Sequence, residues 1–130
     1  MTLSLAGRNI VQAAVTVTDL PRAMAFYRDV LGLPFLFETN GMAFFQAGAS
    51  RLLVGLNPHG TPSDGSVLYF DAPDMDALRA ELESRGVAFT GATQVLQRTD
   101  AHELKLASFR DPDGNALALM GEFRSSPAPR

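Results

Sequence analysis

The chain contains no cysteine. A disulfide, a thiolate metal site and a cysteine nucleophile are therefore excluded. This fits a reducing compartment, so the expected location is cytoplasmic. No apolar run approaches the roughly 18 residues that span a membrane. The stretch from Met1 to Asn9 lacks the long apolar segment of a signal peptide. Net charge is −3, and the basic residues are scattered rather than gathered in a stripe. Neither nucleic acid nor a membrane is an expected partner. No serine sits in a nucleophile-elbow motif, and no glycine-rich loop matches a phosphate cradle.

What is present is one pattern written twice. The first copy runs Val15-Thr16-Val17-Thr18-Asp19-Leu20-Pro21, then a helical stretch to Leu31-Gly32, then Pro34-Phe35. The second runs Leu68-Tyr69-Phe70-Asp71-Ala72-Pro73-Asp74, then a helical stretch to Arg85-Gly86, then Ala88-Phe89. At 130 residues the chain reads as one domain, expected over 1–124, built from modules 10–58 and 65–122. Asn57 to Gly65, with two prolines and two glycines, reads as the linker, and 125–130 as a frayed tail. Two similar halves predict a cleft between them.

Residues 10–17 alternate, with Ala13, Val15 and Val17 on one face and Gln12, Ala14 and Thr16 on the other. That is a half-buried strand. Asp19 is a helix N-cap with Pro21 in the first turn, and Leu20, Met24, Tyr27 and Leu31 follow at helical spacing. Gly32 ends the helix. Strands are expected at 34–39 and 42–46 around the hairpin dipeptide Asn40-Gly41, and at 51–56 after a Gly48-Ala49-Ser50 turn. In the second half a strand at 66–71 precedes a helix capped by Asp74, with Met75, Leu78 and Leu82 inward. Arg79–Glu83 and Glu81–Arg85 are exposed pairs at helical spacing. Further strands are expected at 87–90 or 93–98, at 104–110 and at 116–120. Asp111-Pro112-Asp113-Gly114-Asn115 is a turn in which Asp111 bonds the backbone two residues on and Gly114 supplies positive φ.

Two of these stretches, Val17-Thr18-Asp19-Leu20 with 25–33 and Phe109 through Leu117, resemble the vicinal oxygen chelate superfamily. That superfamily holds glyoxalase I, bleomycin resistance proteins, extradiol dioxygenases and fosfomycin resistance enzymes. The resemblance covers roughly 10–122. It implies an α+β fold of two βαβββ modules whose mixed sheets form a cup, with the helices on the outer face. Family habit also implies a homodimer, and an unpaired strand at a module edge gives a physical reason to associate.

In the metal-dependent members four side chains project into the cup. Offsets from the motifs put those positions here at Gln12, Gly55, Val67 and Ala118. Glycine, valine and alanine offer a cation no side-chain donor, and one neutral amide cannot retain it. Shifting by one residue, to Val54, Leu56, Ser66, Leu68, Leu117 or Leu119, does not help. The expectation is no metal and no cofactor, as in the resistance proteins that sequester a compound.

The expected ligand-binding residues are Gln12, Arg51, Gly55, Val67, Tyr69, Ala118 and Met120. Gln12 and Tyr69 alternate away from their apolar neighbours, and Tyr69 has both a ring to stack and a hydroxyl to bond. Val67, Ala118 and Met120 are apolar wall. Arg51, if inward, meets an anionic group; otherwise it is a solvated arginine. Glu122, His59, and His102-Glu103 in a turn-like stretch read first as surface residues. The phenylalanine pairs, 35/37 and 44/45, read first as core, because alternating strand positions need apolar faces, with the cup as the alternative for one of each pair. The expected function is a metal-independent small-molecule binding protein that holds a largely apolar or aromatic compound. Its rivals are a glyoxalase- or dioxygenase-like enzyme with an altered site, using Gln12 with Glu103 or Glu122, and an interaction module with a vestigial cup.

Overall fold

The computed structural model describes residues 3–57 and 67–124. His59, all of the expected linker but Asn57, and the 125–130 tail lie outside these residues. The first module consists of β1 (Gln12–Val17), α1 (Leu20–Ala25), β2 (Phe35–Thr39), β3 (Met42–Ala47) and β4 (Ser50–Leu56). The second consists of β5 (Val67–Asp71), α2 (Met75–Ser84), β6 (Gln94–Arg98), β7 (His102–Arg110) and β8 (Ala116–Arg124). The sheets have equivalent orders, β1-β4-β3-β2 and β5-β8-β7-β6. In each, the first strand pairs parallel with the last and the other pairings are antiparallel. The duplication read from the sequence is thus a duplication of topology.

Strand alternation sends one face of each sheet under the helices. Val15, Val17, Ala43, Phe45, Leu52 and Val54 do this in the first sheet, and Ala107, Phe109, Leu117 and Leu119 in the second. With Leu20, Ala23, Tyr27, Met75 and Leu82 from the helices they form one continuous core. Each large apolar side chain buried this way contributes about 1.5–3 kcal/mol. The hairpin at Asn40-Gly41 has positive φ at both residues, 49° and 76°, as a two-residue turn requires.

Several elements differ from expectation. The first helix does not stay α-helical to Leu31; after Ala25 it continues as a π-helical turn, Phe26–Val30, in which Leu31 N–H donates to the Phe26 carbonyl. Asp74 occupies the N-cap position of α2, but its side chain makes no capping hydrogen bond. Of the two alternatives for the third strand of the second module, 94–98 is the strand, and Phe89 makes only an isolated bridge with Phe109. His102 and Glu103 are not turn residues but the first two of β7, because Thr99 closes the preceding turn by accepting the His102 N–H. β8 runs on to Arg124, so Glu122 is a strand residue opposite Leu104.

Candidate functional site

The ladders fix which side chains share the faces turned away from the helices. Gln12 lies opposite Arg51, and Gly55 opposite Thr16 and Met42. Val67 lies opposite Ala116, Tyr69 opposite Ala118, and Met120 opposite Asp71 and Leu106. All seven expected binding residues are therefore on the sheet faces turned away from the helices, since their strand neighbours Ala13, Leu52, Val54, Leu68, Leu117 and Leu119 belong to the helix-covered side. Tyr69 is 54% exposed, whereas Ala118 is completely covered.

The structure brings only some of these residues together. A cavity of about 270 Å³ lies where β1 and β4 meet β5, with Arg51 and Tyr69 on its walls and Ala13, Leu52, Leu68 and Phe70 below. A second, of about 250 Å³, opens on the second sheet between Val67, Tyr69, Leu106, Ser108, Arg110 and Ala116. Tyr69 stands in both. Gln12, Gly55, Ala118 and Met120 line neither. On the first sheet Phe37 stacks on Phe44 with centroids 4.4 Å apart and ring planes 19° apart, and the Arg51 guanidinium lies 5.9 Å from the Phe44 centroid. Phe35 and Phe45 pack edge-on beneath the helix side. The phenylalanine pairs thus split between platform and core.

The side chains at the four positions that the motif offsets match to the family's metal ligands, Gln12, Gly55, Val67 and Ala118, do not fit a divalent ion. They offer one amide and three groups with no donor. Among the described residues no three histidine, aspartate or glutamate side chains gather to hold one. Glu103 is engaged by Arg98 at 2.7 Å.

Sequence reasoning missed a polar network that joins the two modules. Asp113, in the turn before β8, accepts the Thr18 N–H at 2.9 Å, and its carboxylate also takes the Thr18 hydroxyl and pairs with Arg22 at 3.2 Å. Its other oxygen is buried with no protein partner. Asn115 donates to the Thr16 carbonyl and to Asp111, each at 2.8 Å. The Tyr27 hydroxyl donates to the same Asp111 oxygen at 2.8 Å. Burial pushes the Tyr27 hydroxyl far above the usual tyrosine range, and the facing Asp111 charge adds to this, so Tyr27 acts only as a donor. The available signal was Tyr27 itself: a tyrosine on the inner face of a helix needs a partner for its hydroxyl.

A family model described as the Glyoxalase/Bleomycin resistance protein/Dioxygenase superfamily matches residues 9–119. The chain belongs to that superfamily. Among solved structures of the glyoxalase fold, a glyoxalase/bleomycin resistance protein/dioxygenase from Alicyclobacillus acidocaldarius aligns at TM-score 0.73 and 18% identity, covering 89% of this chain and 92% of that one. A lactoylglutathione lyase from Agrobacterium tumefaciens aligns at TM-score 0.70 and 23% identity, covering 88% and 93%. Likeness at these identities carries the superfamily fold and not the reaction. A curated relative, the uncharacterized protein YraH of Bacillus subtilis (strain 168), is 26% identical over 125 residues, covering 85% of this chain and 95% of its own length. No helix of the described residues is long and apolar enough to cross a membrane.

Proposed function

We propose that this superfamily member is a metal-independent small-molecule binding protein that holds a largely apolar or aromatic compound on its open sheet faces. What supports the reading is the chemistry of the side chains at the positions that motif offsets match to the family's metal ligands. Gly55, Val67 and Ala118 offer no donor there, while the open faces carry the Phe37–Phe44 stack on the first sheet and the exposed Tyr69 ring on the second. Such a surface favours a flat apolar guest through area burial and ring stacking. Without a Lewis acid, chemistry on the guest would fall to side-chain acid–base groups, and Glu103 is already paired with Arg98. The rival is an enzyme with an altered metal site. The cytoplasm suits a chain without cysteine.

As partner we propose a second copy of this chain. Each open face is only one wall of a cup, and the outer strands β1, β2, β5 and β6 have unpaired edges. Sedimentation velocity reads this directly, and a monomer at high protein concentration would refute it.

The binding reading is tested by thermal shift with neutral bicyclic aromatics such as naphthol, in the presence of chelator. The melting temperature rises with ligand in the parent protein and rises markedly less in Tyr69→Ala. Metal retained stoichiometrically by the purified protein, and lost in Gln12→Ala, would favour the enzyme instead.

A further inference from the structure

The two module seams are related by the duplication, yet they are built differently. Asp19 and Asp74 stand at matching helix starts, and Gln12–Arg51 matches Val67–Ala116 as the first rung of each parallel pair. Counting from these anchors, Thr16 corresponds to Asp71, Thr18 to Pro73 and Tyr27 to Leu82. The β7–β8 turn with Asp113 and Asn115 corresponds to the β3–β4 turn with Gly48 and Ser50. At one seam Asp113 reaches Thr18 and Asn115 reaches Thr16, which closes it.

At the other seam no equivalent bonds exist among the described residues. Gly48 has no side chain, Pro73 has no N–H to donate, and the Ser50 hydroxyl turns instead to the Ile10 carbonyl at 2.9 Å. What remains at that seam is the 270 Å³ cavity, with Gly48, Ser50, Arg51 and Asp71 among its walls. An apolar cavity of about 190 Å³ continues from it, sharing Leu33, Phe70 and Asp71 and reaching Leu78 and Leu82.

The charges on this cavity are the informative part. Arg51 comes from the first module and Asp71 from the second. Among the described residues neither is in an ion pair, with the other or with anything else. They are unpaired opposite charges on the lining of one cavity whose other lining residues are largely apolar. A guest that satisfies both must carry an anion and a cation of its own.

We propose that this seam cavity binds a small zwitterion with an apolar body, of the class of a free α-amino acid with an apolar side chain. Its carboxylate meets the Arg51 guanidinium, which has the planar fork for it. Its ammonium meets Asp71. Its side chain lies on Leu33 and Phe70 toward the adjoining apolar cavity. The proposal deepens the binding function and rests on it, because Tyr69 lines both this cavity and the open face of the second sheet.

Titration calorimetry with phenylalanine, hydrocinnamate, phenethylamine and neutral naphthol separates the two. The expected result is phenylalanine binding at least about tenfold tighter than either singly charged analogue, with each of Arg51→Gln and Asp71→Asn removing about tenfold. Both side chains are exposed, so both variants fold. In Arg51→Gln the preference for phenylalanine over phenethylamine disappears, and in Asp71→Asn the preference over hydrocinnamate disappears. Phenylalanine binding no tighter than its analogues, or binding untouched by both substitutions, overturns the zwitterion site. In that event naphthol binding lost in Tyr69→Ala still supports the general reading, and no naphthol binding sinks that as well.

Discussion

Gly121 illustrates how one absent methyl group fixes a contact. A Cβ at this position would sit 2.6 Å from the Ala72 carbonyl oxygen and 2.8 Å from the Phe123 ring. The obstacle is partly backbone, held because Ala72 N–H donates to the neighbouring Met120 carbonyl at 2.8 Å. Gly121→Ala should therefore destabilise by about 1–3 kcal/mol, as overpacking does. Gly91→Ala, where a Cβ meets nothing within 4 Å, is the control and should be neutral or slightly stabilising. Urea denaturation of the two variants compares them, and equal midpoints would contradict the argument. At this scale the sequence was legible wherever a residue's role follows from parity. Gln12, Arg51 and Tyr69 face outward because Ala13, Leu52 and Leu68 face the core. Asp71 was not legible as a wall of a cavity, because that role depends on Arg51 arriving from the other module.

At the scale of elements, similar local sequences have unlike energetics. Asp19 and Asp74 read alike as helix caps. Asp19 has extended backbone, φ −139° and ψ 101°, and its carboxylate accepts the Arg22 N–H at 3.0 Å. Asp74, at φ −107° and ψ 39°, is rotated out of that geometry and caps nothing with its side chain. Asp19→Ala should cost about 1 kcal/mol and Asp74→Ala only a few tenths. Chemical denaturation of both measures this, and similar losses would mean that the cap geometry is irrelevant. The same contrast explains what was readable. Core strands and the Asn40-Gly41 hairpin carry alternation and turn chemistry that survive any context. β6 is exposed along its whole length, so it has no burial pattern to read. The π-helical turn carries the Tyr27 hydroxyl that donates to Asp111, 84 residues away, and no local pattern encodes that contact.

For the molecule as a whole, the network from Thr16, Thr18, Arg22 and Tyr27 to Asp111, Asp113 and Asn115 is the partly buried polar tie between the halves, beside the exposed Arg85 hydrogen bond to the Val30 carbonyl. Its pH dependence follows from Asp113. Burial alone raises that carboxyl, but the Thr18 hydrogen bonds and the Arg22 ion pair outweigh it and hold it below the ordinary carboxylate range. A depressed folded-state value means that the unfolded chain binds the proton more readily. The tie therefore stabilises fully above the unfolded value of about 3.9 and is lost as pH falls through the folded one. Tyr27 has the opposite sign: its raised value makes stability complete below about pH 10 and lost as pH climbs beyond. Asp113→Asn should cost about 1–2 kcal/mol at neutral pH, since it removes a charged acceptor from three partners. It should also flatten the acid limb of the stability curve below about pH 4 and leave the alkaline limb unchanged. Urea unfolding at a series of pH values gives both limbs. If the variant kept the parent's acid slope, Asp113 would not be the titrating tie. If Thr18→Val added its full cost on top of Asp113→Asn, the two would not be coupled across the seam. A loss at Asp113 that Thr18→Val does not deepen is what a single bonded unit joining two modules requires.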